Sequence, residues 1–342
     1  MPPTAGRQFT PAGIVSAVAG LALFVWLVWS VGPREVVTGF RQIGWWLLAI
    51  LALGGLRFAV RAWAWTLTIE PPHRLRYADA FIAAVCGDAV GNLTPLGPVV
   101  GEPAKAAYVR DRLPLDIAFT ALAIENVFYT LSVAAMIAAG TIALLVTVNL
   151  PLGLREFSEA AVAAIVGLFL AVAWLLWRRP ALLGARTPEA STRTKMRARL
   201  ERLRAIGQDI YTFRSRRRGA VPPIALAELA FHVLGVAEKH LTLWLILGTP
   251  PPLVYSFIVE TADRMITVAF KFVPFQFGVG EAGTGAVTAI LGLGTQPGIT
   301  LQVVRKARMG IWSLVGMAFL VRRGLTARRI LEDDALHSSR PR

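Results

Sequence analysis

Two short stretches of the chain place a carboxylate beside residues that break helices. The first is GNLTPLGPVVGEPAKAAYV, residues 91–109, and the second is KFVPFQFGVGEAGTGAVTAIL, residues 271–291. Both contain a proline and, ending seven residues later, a Gly-Glu pair: Pro95, Gly101 and Glu102 in the first, and Pro274, Gly280 and Glu281 in the second. An ionisable side chain at membrane depth is a functional candidate, because burying its charge is expensive.

Two interpretations of Glu102 follow from its neighbours. Proline favours the first turn of a helix, so Glu102 could cap a half-helix that begins at Pro103 and complement its dipole. In the other interpretation, Glu102 and Glu281 meet in one pocket and bind an amine, a hydroxyl or a proton. Lys105, one turn further on, could instead face a phosphate. The same stretch supplies two more polar binding candidates, Asn92 and Thr94.

Charged residues inside the other apolar segments are further binding candidates. Glu125 and Asn126, in AIENVFY, lie deep in a predicted span. A buried carboxylate is normally paired with a cation, and we predict Arg305 or Arg308 as the partner of Glu125. Such a pair either fixes the two halves of the chain to each other or lines a binding site.

Two pairs of residues have a binding and a structural interpretation. Arg57 and Arg61 are four residues apart, so they share a helix face. Near a helix end they would reach to the membrane interface, whereas in a cavity they would attract a lipid phosphate. For the adjacent Asp263 and Arg264, we expect one to pair with a neighbouring helix and the other to line the cavity.

A histidine and several acids follow in one apolar segment. Glu228 and His232 are four residues apart, and Glu238, Lys239 and His240 come next. His and carboxylate ligands suit zinc, but two ligands on one helix are too few, so a polar stripe is the favoured interpretation. We predict no metal and no cofactor.

The elements that must position these residues are membrane helices. The chain is 55% hydrophobic and 17% charged, whereas soluble domains contain about 25% charged residues. Segments of about 20 apolar residues are long enough to cross the bilayer. The predicted fold class is an all-α polytopic membrane protein with about six full spans: Gly13–Val31, Trp45–Ile69, Ile117–Thr147, Ala160–Trp177, Ile224–Leu247 and Thr300–Val321.

Two further apolar regions, Ala78–Val109 and Leu253–Gly294, are interrupted by Pro and Gly. Each is either two spans or a re-entrant hairpin of two half-helices, and irregular backbone at that depth must line protein or a watery cavity. The flanks of the first region are rich in arginine and those of the second are uncharged. The positive-inside rule therefore predicts one hairpin from each face of the membrane, which is an inverted repeat of the kind secondary transporters use.

Charge also sets the predicted domain boundaries and location. The net charge is +15 and is concentrated in the loop 178–222 and the tail 324–342, which we place in the cytoplasm with both termini. The half-repeats are then 13–177 and 223–323. We expect the basic loop to contact anionic lipid rather than nucleic acid. Residues 196–210 have the spacing of an amphipathic helix, and an ordinary basic cytoplasmic loop is the alternative. Because Cys86 is the only cysteine, we predict no disulfide framework and no thiolate metal cluster.

Together, GNLTPLGPVVGEPAKA, AIENVFYTL and VPFQFGVGEAG resemble the flippase-like transmembrane region of lysylphosphatidylglycerol synthases. The resemblance extends over roughly residues 45–323 and implies a lipid translocator. Only a short tail follows Val321 in place of the aminoacyl-transferase domain of the bifunctional members.

We therefore predict a flippase-like transporter of a lipid or lipid-linked headgroup in a bacterial-type cell membrane. Its movement would be downhill or coupled to an ion, such as protons through Glu102, Glu125 or Glu281. Its partners would be anionic, aminoacylated or polyprenyl-linked lipids, and a homo-oligomer is compatible with the sequence. The alternative is a membrane-embedded enzyme that modifies lipid headgroups, with Glu228 and His232 as an acid–base pair; a scaffold is a third interpretation that leaves the two broken segments unexplained.

Overall fold

The computed structural model describes residues 43–94, 97–153, 155–156, 158–160, 162–167, 212–213, 216–270 and 273–323. These residues are helices and connecting turns, without a strand. The predicted span 13–31, the helix predicted around residues 196–210, the tail 324–342 and Pro95 lie outside the described residues. The predicted span 160–177 is described only as far as residue 167.

The fold around the site is built from these α-helices: α1 Trp46–Thr68, α2 Tyr77–Leu93, α3 Gly97–Val109, α4 Leu115–Thr147, α5 Val221–Leu247, α6 Leu253–Ala269, α7 Val279–Ile290 and α8 Thr295–Arg323. The stretches Trp46–Thr68, Leu115–Thr147 and Arg218–Leu247 are long and apolar enough to cross a membrane. Helix α8 has the length but carries three bases in its middle, Arg305, Lys306 and Arg308. The chain is thus an all-α polytopic membrane protein, as the sequence predicts.

Proline and glycine set several helix ends. Helices α4 and α6 begin directly after Pro114 and Pro252, which have extended ψ angles of 140° and 135°. Proline also occupies the first turn of α5, where its missing N–H would have had no partner in any case. This helix ends at Gly248, whose φ of 76° lies in the left-handed region that glycine adopts without strain.

Each predicted broken region consists of two helices that pack against each other. Helices α2 and α3 form hairpin A, and helices α6 and α7 form hairpin B. In hairpin A the backbones approach closely at Gly87 and Gly101, because a Cβ on Gly101 would lie 2.8 Å from the Gly87 carbonyl oxygen. In hairpin B the turn contains Phe275 and Gln276, with φ angles of 50° and 53°, a region that non-glycine residues rarely adopt.

Two apolar clusters hold the open ends of the hairpins at opposite ends of the long helices. The first joins the open end of hairpin A to the start of α4, at Ala118 and Leu122, and to the end of α8, at Leu320. The second joins the open end of hairpin B to the end of α4, at Leu144, and to the start of α8, at Leu301. The two hairpins therefore extend towards each other from opposite ends of α4 and α8.

The helix contacts repeat between the halves of the chain. If α1 to α4 are matched in order with α5 to α8, each pair of helices in close contact has a counterpart. Hairpin A packs on α8 as hairpin B packs on α4, and α3 lies against α4 as α7 lies against α8. This is the packing that a two-fold repeat requires. The orientation of each hairpin in the bilayer stays a prediction.

Candidate functional site

A cavity of about 300 Å³ lies where the tips of the two hairpins meet. Hairpin A contributes its tip residues Asn92, Thr94 and Gly97, and hairpin B contributes the turn residues Phe275 and Gln276. Helices α1, α4, α5 and α8 complete the wall with these charged and aromatic residues: Arg57, Phe58, Arg61, Tyr129, Phe231, Arg305 and Arg308. The breaks in the two apolar regions thus bring loop backbone and polar side chains to one place.

The wall of this cavity is strongly basic. It contains six cationic side chains and two carboxylates: Arg57, Arg61, Lys105, Arg264, Arg305 and Arg308 against Asp88 and Glu102. Guanidinium groups match the geometry of phosphate and carboxylate oxygens, and charge interactions strengthen away from water. The lining therefore suits an anionic ligand.

Buried carboxylates behind the wall hold the arginines in position. Glu238 lies 3.3 Å from Arg57 Nη1 and 2.7 Å from Arg308 Nε, so it joins α1, α5 and α8. Glu260 contacts Arg57 Nη2 at 3.5 Å and Arg264 Nη2 at 2.6 Å. Both acids are almost fully buried, and each therefore needs the cations that it contacts.

Glu125 pairs with Arg61, not with Arg305 or Arg308 as the sequence analysis predicted. Its two carboxylate oxygens accept hydrogen bonds from Arg61 Nε and Nη2, both at 2.8 Å. The prediction was wrong because α1 packs against α4 and brings Arg61 to this carboxylate. The fork geometry uses two nitrogens of the guanidinium and leaves Nη1 for a ligand.

Phe231 of α5 is surrounded by three guanidinium groups. The Cζ atoms of Arg57, Arg264 and Arg61 lie 4.4, 5.3 and 5.8 Å from its ring centroid. A cation near the face of an aromatic ring is attracted by the ring quadrupole. The ring therefore gathers three cations on one side of the cavity without neutralising them.

Glu102 lies inside helix α3 and does not cap it. The helix begins at Gly97 and contains Pro103 in its interior, so the predicted start at Pro103 was wrong. Pro98, in the first turn of α3, is the proline that fits the start of the helix. Glu102 accepts a hydrogen bond from Lys105 Nζ at 2.7 Å, and both side chains line the cavity.

Glu281 does act as a cap, at the start of α7. Its carboxylate accepts a hydrogen bond from the Gly278 backbone N–H at 3.0 Å, and it forms an ion pair with Lys306, whose side chain is buried. Glu281 is not among the residues that line the cavity. The hairpin tips therefore converge as expected, but the cavity is lined by Glu102 and not by Glu281.

Arg305 connects α8 to hairpin B through a hydrogen bond and an ion pair. This side chain donates to Gln276 Oε1 at 2.9 Å and lies 3.0 Å from Asp263 Oδ1. Asp263 also accepts from Gln302 Nε2 at 2.8 Å and contacts Lys239 Nζ at 3.1 Å. Asp263 thus pairs with neighbouring helices, whereas Arg264 pairs within its own helix and lines the cavity, which is the division expected for these two neighbours.

The comparisons with known proteins give the family. The model of the lysylphosphatidylglycerol synthase TM region matches residues 13–316, which is most of the 342-residue chain. The chain belongs to the lysylphosphatidylglycerol synthase TM family. No curated protein and no solved structure matches it significantly. Membership assigns the protein a function related to membrane lipids.

Most of the binding residues predicted for this family member lie at the cavity. Ten line it: Asn92, Thr94, Glu102, Lys105, Asn126, Arg57, Arg61, Arg264, Arg305 and Arg308. Glu125 and Asp263 lie one layer behind them as partners of Arg61 and Arg305. Of the predicted break residues, Gly101 lines the cavity, Pro274 starts the turn of hairpin B, and Gly280 is buried in α7 beside Gln302.

Sequence reasoning missed Asp88, Tyr129, Phe231 and Gln276 in the wall, and Glu260 behind it. Glu260 had a readable signal, because it precedes Arg264 by four residues and such pairs meet on a helix face. No sequence pattern indicated Gln276, because its hydrogen bond with Arg305 depends on the conformation of the turn. Within the described residues, no three His, Cys, Asp or Glu side chains are grouped to hold a metal ion.

Proposed function

We propose that the protein is a flippase-like transporter that moves lipids with an anionic headgroup between the leaflets of a cell membrane. The observation that carries the proposal is the meeting of two hairpin tips, from opposite ends of α4 and α8, at a cavity lined by six basic side chains. A transporter needs a polar site near mid-depth that each leaflet can reach in turn.

A headgroup phosphate is the chemical group that fits this wall best. Arg57, Arg61 and Arg308 come from α1 and α8, and each is fixed on one side by a buried carboxylate. Preorganised guanidinium groups recognise phosphate bidentately. Glu102 and Asp88 add acceptors at the hairpin A side of the cavity, where a headgroup hydroxyl or amine would bind.

The proposed arrangement in the membrane follows from charge. Both termini and the basic loop lie in the cytoplasm, and hairpins A and B re-enter from the cytoplasmic and outer faces respectively. The lipid chains stay in the hydrocarbon while the headgroup passes between the hairpin tips. Anionic phospholipids and polyprenyl phosphates both present the required phosphate, and an aminoacylated phospholipid presents an amine as well.

The test is leaflet exchange by the purified full-length chain in phosphatidylcholine vesicles. Fluorescent phosphatidylglycerol or fluorescent phosphatidylcholine is the probe, and bleaching from outside reports the exposed leaflet. We expect faster exchange of phosphatidylglycerol than of phosphatidylcholine. Arg308→Gln should slow it at least about tenfold, which corresponds to about 1.4 kcal/mol. The matched control is Arg155→Gln, because Arg155 is exposed and its ion pair within the described ranges is with the exposed Glu159, four residues away.

Two outcomes would refute transport through this cavity. Leaflet exchange equal to that of empty vesicles would remove the proposal, and so would equal loss in Arg308→Gln and Arg155→Gln. Mass spectrometry of the same vesicles checks the enzymatic alternative. A chemically altered headgroup that depends on Glu228 or His232 would replace the transporter with an enzyme.

A further inference from the structure

Glu228 of α5 is a buried carboxylate without a basic partner. It is 3% exposed, and within the described ranges no lysine or arginine lies within ion-pair distance of it. The other buried carboxylates in these ranges each have such a partner: Asp79, Glu125, Glu238, Glu260 and Asp263. An isolated buried carboxylate is far more stable in its protonated, neutral form.

Ser132 of α4 connects Glu228 to His232. Its Oγ lies 3.3 Å from Glu228 Oε2, 3.0 Å from His232 Nε2 and 2.8 Å from the Tyr129 carbonyl oxygen. A hydroxyl has one proton to donate. When it donates to Tyr129, Glu228 can only join by donating a proton of its own; when Glu228 is ionised, the hydroxyl must turn to it. The serine is therefore arranged to accommodate both protonation states.

The cluster retains unused hydrogen-bonding capacity. Glu228 Oε1 and His232 Nδ1 are buried and have no hydrogen-bond partner among the described residues. A proton on Oε2, shared with Ser132 Oγ, makes Oε1 a neutral carbonyl oxygen, whose burial without a partner costs far less than that of a carboxylate oxygen. In a serine–histidine–acid catalytic set the acid contacts the histidine. Here the acid contacts the serine, so the order needed for nucleophilic catalysis is absent.

Arg61 links this cluster to the cavity. It lines the cavity wall and bonds Glu125, and its charge also acts on Glu228. The other titratable or charged groups that act on Glu228 or His232 are Glu125 and Tyr129 on α4 and Arg57 on α1. An anion bound at Arg61 offsets its positive charge, which favours a proton on Glu228. By thermodynamic linkage, the proton in turn favours the anion.

We propose that Glu228, held by Ser132 and His232, binds a proton that travels with each anionic headgroup. The inference rests on the proposed transport function and gives it a coupling ion. One proton adds to Glu228 Oε2 when the headgroup binds, where Ser132 Oγ accepts it in a hydrogen bond, and leaves the same atom when the headgroup is released. Glu102, Glu125 and Glu281, which the sequence suggested for this role, are each engaged with a basic side chain.

The first experiment measures proton binding without transport. The full-length protein is placed in phosphatidylcholine nanodiscs, and infrared difference spectra are recorded on adding phosphatidylglycerol. We expect a protonated-carboxyl carbonyl band that grows with the added lipid and is lost in Glu228→Gln. Glu159→Gln is the matched control, since Glu159 is half-exposed and is not among the residues that line the cavity. A band that persists in Glu228→Gln overturns the proposal.

The second experiment measures coupling in vesicles with a pH gradient. For one proton per lipid, a gradient of one pH unit drives about tenfold accumulation of phosphatidylglycerol in one leaflet. Glu228→Gln should still exchange lipid without a gradient, since glutamine mimics the protonated acid, but should show no accumulation. Accumulation equal to that of the unaltered protein overturns the proton site and leaves transport intact. A lipid-linked carboxyl band without any lipid exchange supports the proton site and refutes the transport function.

Discussion

The ion pair between Arg61 and Glu125 supports a quantitative prediction about stability. Replacing Glu125 by Leu leaves Arg61, whose side chain is 20% exposed, beside the rings of Tyr129 at 4.1 Å and Phe231 at 5.8 Å but without its carboxylate partner. The change removes two charge-assisted hydrogen bonds of 2.8 Å, each contributing about 1.5–3 kcal/mol. Breaking a buried pair costs about 3–5 kcal/mol, so we expect a loss of about 4 kcal/mol in the free energy of unfolding.

The double variant Arg61→Met/Glu125→Leu tests whether the stability lost by Glu125→Leu comes from leaving Arg61 unpaired. Removing both partners leaves no unpaired buried charge, and such replacements are close to neutral. The double variant should therefore recover most of the stability lost by Glu125→Leu while transporting phosphatidylglycerol poorly, because Arg61 lines the cavity. The exchange Glu125→Arg/Arg308→Glu should not recover stability, because these two residues belong to different ion pairs.

The accessibility of Cys86 to a thiol-reactive dye can be used to measure unfolding. Cys86 is the only cysteine and is fully buried, and its Sγ lies 3.4 Å from the Gly316 carbonyl oxygen of α8. A thiol-reactive dye therefore becomes fluorescent only when α2 separates from α8. If Glu125→Leu unfolds at the same temperature as the unaltered protein, or the double variant is no more stable than the single one, the reasoning is refuted.

Three further predictions use the same assays. Gly101→Leu should lower the unfolding temperature, because the side chain forces α3 away from Gly87 at a cost of at least about 1–3 kcal/mol. The control Gly219→Leu should leave it unchanged, because the space around its Cβ is open. Equal effects of the two variants would contradict the close approach of α2 and α3. Glu281→Gln should reduce stability by about 1–3 kcal/mol and leave the concentration of phosphatidylglycerol for half-maximal transport unchanged, and a shift in that concentration would place Glu281 at the ligand. Phe231→Leu should weaken stability by about 0.5–2 kcal/mol through the loss of its contacts with three guanidinium groups, and an unchanged unfolding temperature would show that the ring only fills space.

The sequence predicts the helices well where one physical property decides the outcome. Long apolar runs predict α1, α4 and α5 to within a few residues, because hydrocarbon thickness fixes the length of a span. Proline and glycine predict the breaks in both hairpins. The start of α3 was misplaced because Pro98 and Pro103 both fit a helix start, and only the packing of Gly101 on Gly87 favours the earlier one.

The sequence does not predict which side chains on different helices contact each other. Helical spacing gives the face on which Glu125 lies, but the rotation and height of α1 against α4 decide that it meets Arg61. The serine between Glu228 and His232 comes from α4, about 100 residues earlier in the chain. Its hydroxyl has no sequence signature, since serine is common in membrane helices for other reasons.

The ion pairs of Arg57 make the first half of the chain dependent on the second. Arg57, in the first half, finds its carboxylates on α5 and α6 of the second, so a first half made alone would bury an uncompensated guanidinium at a cost of several kcal/mol. The two halves are thus obligate partners despite their matching contacts. A gene cut between codons 167 and 212 should yield fragments that are degraded when made singly and reassemble when made together, whereas two copies of either fragment should not replace the pair.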